Sequence, residues 1–294
     1  MLSRLRASPV FADPRHGQMF SQGVLIACGV VWFSFEMQWW RPLAAVAAAV
    51  ATQFLFSRIL RQKFDWRSPV ISALALTLLL RTDGPALAAL AGVIAVASKA
   101  LIRFDGRHFF NPGAFAIVVT VLLFDGAWVS PGQWGTTAWI AVVAMGLGMF
   151  VTGHAKRWEV PLIFLAAWAA LSFGRALYMG DPMAIPLHQM QNGALVIFAF
   201  FMISDPMTAP WHPVARAIWL VIAAVVAFAL QFEWVVAAGP IFGLVCVAPL
   251  VPLFNRLFKA PRAQWRRPGP GAGPNPAPAP IPATISSTPE GVSA

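Results

Sequence analysis

Charge is what this sequence has least of: 11 acidic residues and 21 Lys and Arg in 294 positions, so only 11% of the chain is charged. Soluble domains carry about a quarter. With 59% hydrophobic residues and a mean hydropathy of +0.69, the chain cannot present a water-facing surface on all sides, which excludes an ordinary soluble domain. Cysteine is nearly absent too. Cys28 and Cys246 both fall inside apolar stretches, without the short spacing that zinc or iron–sulfur sites need. His108, His154, His188 and His212 show no ligand spacing such as i, i+4 on a helix, so no metal site is expected. Phosphate-binding Walker loops, dinucleotide-binding Gly patterns and nucleophile elbows are missing as well.

What the chain does have is apolar runs of about membrane-spanning length. Ten can be drawn, at 22–37, 42–60, 69–81, 85–102, 112–124, 136–153, 160–178, 191–204, 213–231 and 234–255. The fold class expected is all-α, a polytopic membrane protein. The net charge of +10 does not signal nucleic acid, because the cations sit in short runs between the apolar stretches, as topology signals do. If the N-terminus is cytoplasmic, 18 of the 21 Lys and Arg fall on the inner side, leaving Arg41, Arg81 and Arg175 outside. That asymmetry predicts an even number of spans with both termini inside. The Trp residues cluster near span ends, as an interfacial belt does.

The halves echo each other. Ser72-Ala73-Leu74 begins an apolar run ending at Asp83-Gly84-Pro85, and Gly193-Ala194-Leu195 begins one ending at Asp205-Pro206; Pro112 is matched more weakly by Gly239-Pro240. Five spans per half would make the third and eighth cross in opposite directions, the arrangement of inverted repeats. The resulting division is an N-terminal cytoplasmic segment at 1–21, repeats at 22–124 and 125–258, and a Pro/Ala/Gly-rich tail at 259–294 that cannot bury a core and reads as disordered and cytoplasmic.

No acid falls in the middle of a span, although a pump with its own central proton relay would normally place one there. Asp83 and Asp205 each close a short run beside a helix breaker, either as site residues or as turn residues satisfying backbone N–H groups. The polar loop Asp105 to Phe115 runs straight into an apolar stretch, and such a loop must be held by protein or line a cavity. In it, Asn111 can bond backbone groups freed by Pro112 or the edge of a planar heterocycle. Arg107 can offer two donors to a phosphate or carboxylate. Lys99 is the most deeply placed cation, and for both the alternative is snorkelling to headgroups.

The stretch from Ser68-Pro69 to Asp83-Gly84-Pro85, then Lys99, Phe110-Asn111-Pro112-Gly113-Ala114 and Phe200-Phe201-Met202-Ile203-Ser204-Asp205-Pro206-Met207-Thr208 resembles the RnfD/NqrB family over about residues 20–255. The resemblance implies two inverted five-span repeats in a membrane component of an electron-transport, ion-motive complex, with flavin and with partner subunits supplying other redox centres. It also implies FMN attached to a Thr in a Ser-Gly-Ala-Thr-Pro-Leu motif. The best match here, Pro182-Met183-Ala184-Ile185-Pro186-Leu187, puts Ile185 where the acceptor would stand. Without a hydroxyl no phosphodiester forms, so a divergent, short member is expected in which any FMN or riboflavin is non-covalent. Lys99, Arg107, Asn111, Asp83 and Asp205 are the expected flavin contacts or cavity lining. Two other readings fit the same scaffold: a small-solute transporter or channel, and a non-catalytic membrane scaffold.

Overall fold

Proline fixes where several helices begin. Pro85, Pro112, Pro213 and Pro240 each stand in the first turn of a helix, where a missing N–H costs nothing because the first-turn N–H groups have no intrahelical acceptor. The computed structural model describes residues 13–32, 38–135, 138–154 and 157–261. The first half holds α1 (Pro14–Trp32), α2 (Trp40–Ile59), α3 (Arg67–Leu79), α4 (Pro85–Leu101) and α5 (Pro112–Leu123). The second holds α6 (Ala138–His154), α7 (Glu159–Met179), the short α8 (Ala184–Met190), α9 (Gly193–Phe201), α10 (Pro213–Phe232), α11 (Gly239–Val247) and α12 (Leu250–Leu257). Two small antiparallel strand pairs complete it: β1 (Leu80–Thr82) with β4 (Ala127–Val129), and β2 (Arg103–Phe104) with β3 (Arg107–His108). Most of the tail, from residue 262 on, and residues 1–12 of the N-terminal segment lie outside the described residues.

The helices α2, α7 and α10 are individually long and apolar enough to cross a membrane, and α11 with α12 makes a fourth such run bent by 49°. This is an all-α polytopic membrane protein. Other stretches drawn as spans form shorter helices. At 13 residues α3 rises only about 20 Å, with eight of its residues buried, and all nine residues of α9 are buried, so neither helix needs to match the bilayer. The run at 234–255 is not one helix. The chain reverses at Val235, whose φ is 56°, helix resumes only at Gly239, and Pro249 breaks it again by lacking the N–H that would continue the ladder.

Packing order recurs between the halves. In the first, α1 packs on α3, α2 on α4 and α4 on α5; in the second, α6 packs on α9, α7 on α10 and α10 on α11. With α8 set aside, these are the same neighbours. Small residues bring the backbones close, as in other membrane bundles: a Cβ on Gly92 would lie 2.5 Å from the Ala45 carbonyl oxygen, and one on Gly243 2.7 Å from Ala227. The halves meet where α1 packs on α6 and α5 on α11, and Trp134, Phe164, Trp168 and Trp219 are all but fully buried in the core.

A charged cavity and an amide-lined cavity as candidate functional sites

Two broken helices, α3 and α9, organise the polar interior. A helix ending inside protein leaves carbonyls without intrahelical donors, and in each case a side chain from the other half supplies one. The Leu78 carbonyl at the end of α3 accepts from Trp134 Nε1 at 3.0 Å and from Gln133 Nε2 at 2.8 Å. The Met202 carbonyl just past α9 accepts from Asn111 Nδ2 at 3.1 Å. Asn111 also caps α5, its Oδ1 accepting from the Ala114 N–H at 3.0 Å. Asn111 therefore does what the residue after a helix break and before a proline is chemically suited to do: it satisfies backbone on both sides.

At the end of the bundle where α3 begins lies a cavity of about 180 Å³. Lys99, Asn111 and Asp205 all line it, together with Arg15, Asp65 and His108. Lys99 Nζ donates to Ser68 Oγ at 2.7 Å and to Gln53 Oε1 at 3.4 Å. Asp205 Oδ1 accepts the Met207 N–H at 2.9 Å, an Asx-type turn. Burial pushes its carboxyl up to about 6, against the weaker pull of that N–H and of Lys99 and Arg157. Burial also pushes His108 down to about 3, helped by Lys99, Arg103 and Arg107, so its imidazole is neutral. Asp65 behaves oppositely. Burial raises it, but hydrogen bonds from Arg15 and the Arg67 backbone, with their charges, more than reverse this and leave it below the ordinary range. Arg15 pairs with both Asp13 and Asp65, tying the start of α1 to the loop before α3.

Arg107 and Asp83 do not join this cavity. Arg107 lies in the neighbouring pocket, its Cζ 5.5 Å from the centre of the Trp211 ring. Asp83 is exposed beside the β1–β4 pair, its N–H bonded to the Gly126 carbonyl at 2.9 Å. Ile185 is 44% exposed on α8. Sequence reasoning missed Arg15, Asp65 and His108. Asp65 had a local signal, standing just before the Ser68-Pro69 that opens α3, and His108 lies in the polar Asp105 to Phe115 loop; Arg15 is brought in by tertiary packing alone.

A second cavity, of about 90 Å³, lies at the opposite end. It is lined by Leu79 at the end of α3, by Asn192 and Phe198 of α9 and its cap, by Pro240 of α11, and by Gln189, Gln231 and Trp168. Trp168 Nε1 is a buried donor with no acceptor among the described residues. Since the charged cavity takes the start of α3 and the end of α9, while the amide-lined one takes the end of α3 and the start of α9, these two helices run in opposite directions. The charged cavity also takes the start of α5, through Pro112, and the amide-lined one the start of α11, through Pro240.

Apolar helices around two buried, oppositely directed half-helices, with a polar cavity at each end, define a membrane protein built to hold polar groups at depth. Residues 121–263 match the family described as NQR2, RnfD, RnfE. Relatives named as the D subunit of an ion-translocating oxidoreductase complex, from Escherichia coli O1:K1 / APEC, Escherichia coli O81 (strain ED1a) and Escherichia fergusonii, are each 28% identical over 148 residues. The similarity covers 50% of this chain and 41% of each relative, so the chain spans about two-fifths of the length of the relatives it matches.

Proposed function

We propose that this chain is a non-autonomous subunit of an ion-translocating oxidoreductase complex of the bacterial inner membrane, helping to pass electrons across the bilayer between partner subunits, with both termini cytoplasmic. The observation that carries this reading is the similarity of its second half to a membrane component of such complexes. The geometry supports it: polar cavities at both ends of one pair of half-helices give two places to hold a redox group or an ion inside an apolar bundle.

The amide-lined cavity, at about 90 Å³ too small to enclose a flavin ring, carries donors that would meet one edge of a non-covalent FMN or riboflavin placed at its mouth. A flavin ring offers carbonyl and ring-nitrogen acceptors along one edge, and Gln189, Asn192, Gln231 and the orphaned Trp168 Nε1 are donors of matching chemistry. Leu79 and Phe198 make the rest of the cavity wall apolar. When bound, a flavin supplies one-electron transfer chemistry, and its potential follows the donors around it. Ile185 offers no oxygen for a phosphodiester. At the charged cavity, the Asp205 carboxyl exchanges a proton close to physiological pH, facing the same space as Lys99 and Asp65. That charged lining also favours a second reading, a small-solute transporter or channel on the same scaffold.

The test is the absorbance spectrum of detergent-purified protein across the flavin bands, before and after acid precipitation. A chromophore released into the supernatant is the expected result; one retained in the pellet would mean covalent attachment elsewhere. A colourless protein that stays colourless when flavin is added, and that moves solute alone in liposomes, would replace electron transfer with transport.

A further inference from the structure

Beside the charged cavity, and sharing His108 and Met207 with it, lies a separate pocket of about 180 Å³ between the β2–β3 hairpin, the loop after α9 and the C-terminal part of α12. Two guanidinium groups line it, each packed against an aromatic ring: Arg107 over Trp211 at 5.5 Å and Arg256 over Phe104 at 4.4 Å. Stacking on a ring fixes a planar guanidinium and directs its N–H groups along the plane, the fork geometry that matches phosphate oxygens. Asn255 ties the walls together, its Oδ1 accepting the Trp211 N–H at 2.9 Å. The acid in the lining is Asp105, at the hairpin turn, and His108 is neutral, so the pocket carries net positive charge.

The helix that carries Arg256 is bent 49° away from α11. Leu253 and Leu257, four residues apart and so on one face, are 51% and 67% exposed. A short helix turned out of a span, with apolar side chains uncovered on one face and a cation in its last turn, has the form of an interfacial helix. Acyl chains lying over Leu253 and Leu257 bring a headgroup to Arg256.

We propose that this pocket holds the headgroup phosphate of an anionic phospholipid, clamped between Arg107 and Arg256, with α12 lying at the membrane surface. Basic pockets between spans are the usual chemistry for such headgroups. The site is distinct from both cavities of the proposed function and stands whether or not a flavin is bound.

The experiment is native mass spectrometry of the full chain released from detergent micelles doped with phosphatidylglycerol or phosphatidylcholine. Wild type should retain phosphatidylglycerol in preference to phosphatidylcholine, and Arg107→Gln/Arg256→Gln should lose roughly ten-fold or more of it. Arg58→Gln, which removes a cation stacked on Phe54 outside the pocket, should leave retention unchanged. Equal retention of the two lipids by wild type, or undiminished retention by the folded double variant, overturns the proposal. So does displacement by millimolar inorganic phosphate, which would assign the pocket to a free anion. If the double variant fails to fold, Arg256→Gln alone is read in its place, and undiminished retention of phosphatidylglycerol by that variant overturns the proposal.

Discussion

At the scale of single residues, Asn111 and Asp205 show how one side chain serves two demands. Asn111 caps α5 and donates to the Met202 carbonyl. Losing an N-cap costs about 1 kcal/mol and orphaning a buried carbonyl about 1–3 kcal/mol. Asn111→Ala should therefore destabilise the protein by roughly 2–4 kcal/mol, while Asn111→Ser, which can still cap, should recover only about 1 kcal/mol of that. Thermal unfolding in detergent checks both, and equal melting of the two variants would mean the cap contributes nothing. Asp205 gives a pH test. Its carboxyl is raised from the ordinary 3.8 to about 6 by burial. The advantage of the neutral acid is therefore complete below the ordinary value and lost as pH rises through about 6. Asp205→Asn stays neutral and keeps an oxygen for the Met207 N–H. Its stability relative to wild type should be near nil around pH 4 and grow to at most about 3 kcal/mol by about pH 7. A pH-independent difference would show that Asp205 is not held neutral by its surroundings.

At the scale of elements, the broken helices persist because their open ends are answered from across the molecule. Leu78 has two donors, Trp134 and Gln133, so either one alone still satisfies it. Trp134→Phe should cost about 1 kcal/mol and Gln133→Ala a similar amount, but the double variant should exceed their sum by roughly 1 kcal/mol or more, because only then is the carbonyl orphaned. Additive melting shifts in the full cycle would dismiss this shared role. Helix starts were legible in the sequence because Pro85, Pro112 and Pro213 mark them chemically, and the starts at 85, 112 and 213 agree with the apolar runs. Helix ends inside protein were not. The run at 234–255 is uniformly apolar, and its division into α11 and α12 depends on Val235 adopting a positive φ and on Pro249, local features that hydropathy averages away. The charged cavity was half legible. Lys99, Asn111 and Asp205 stood out as polar residues beside helix breaks, whereas Asp65 and His108, though next to such breaks, were not picked out, and Arg15 joins them only through the packing of α1 against α3.

At the scale of the whole molecule, the opposite directions of α3 and α9 and the recurring order of neighbours give the chain two ends of different character. One end gathers Arg15, Asp65, Arg67, Lys99, Arg103, Arg107 and Arg256; the other gathers β1, β4, α8 and the amide-lined cavity. A bilayer reads such an asymmetry directly, since cations are retained on the side where the chain is synthesised. If the basic end is cytoplasmic, a reporter in the α2–α3 loop must be shielded in intact cells and one just before α8 must be accessible. Both positions are exposed: Lys63 in the first and Met183, 43% exposed, in the second. In a background where Cys28 and Cys246 are replaced by Ala, Met183→Cys should react with a membrane-impermeant maleimide in cells whose outer membrane alone is permeable. Lys63→Cys should react only after the inner membrane is opened. The reverse pattern would invert the orientation, and with it the leaflet available to Arg107 and Arg256. Labelling of both in intact cells would mean that Lys63 and Met183 share one side, which the opposed ends of α3 and α9 do not allow.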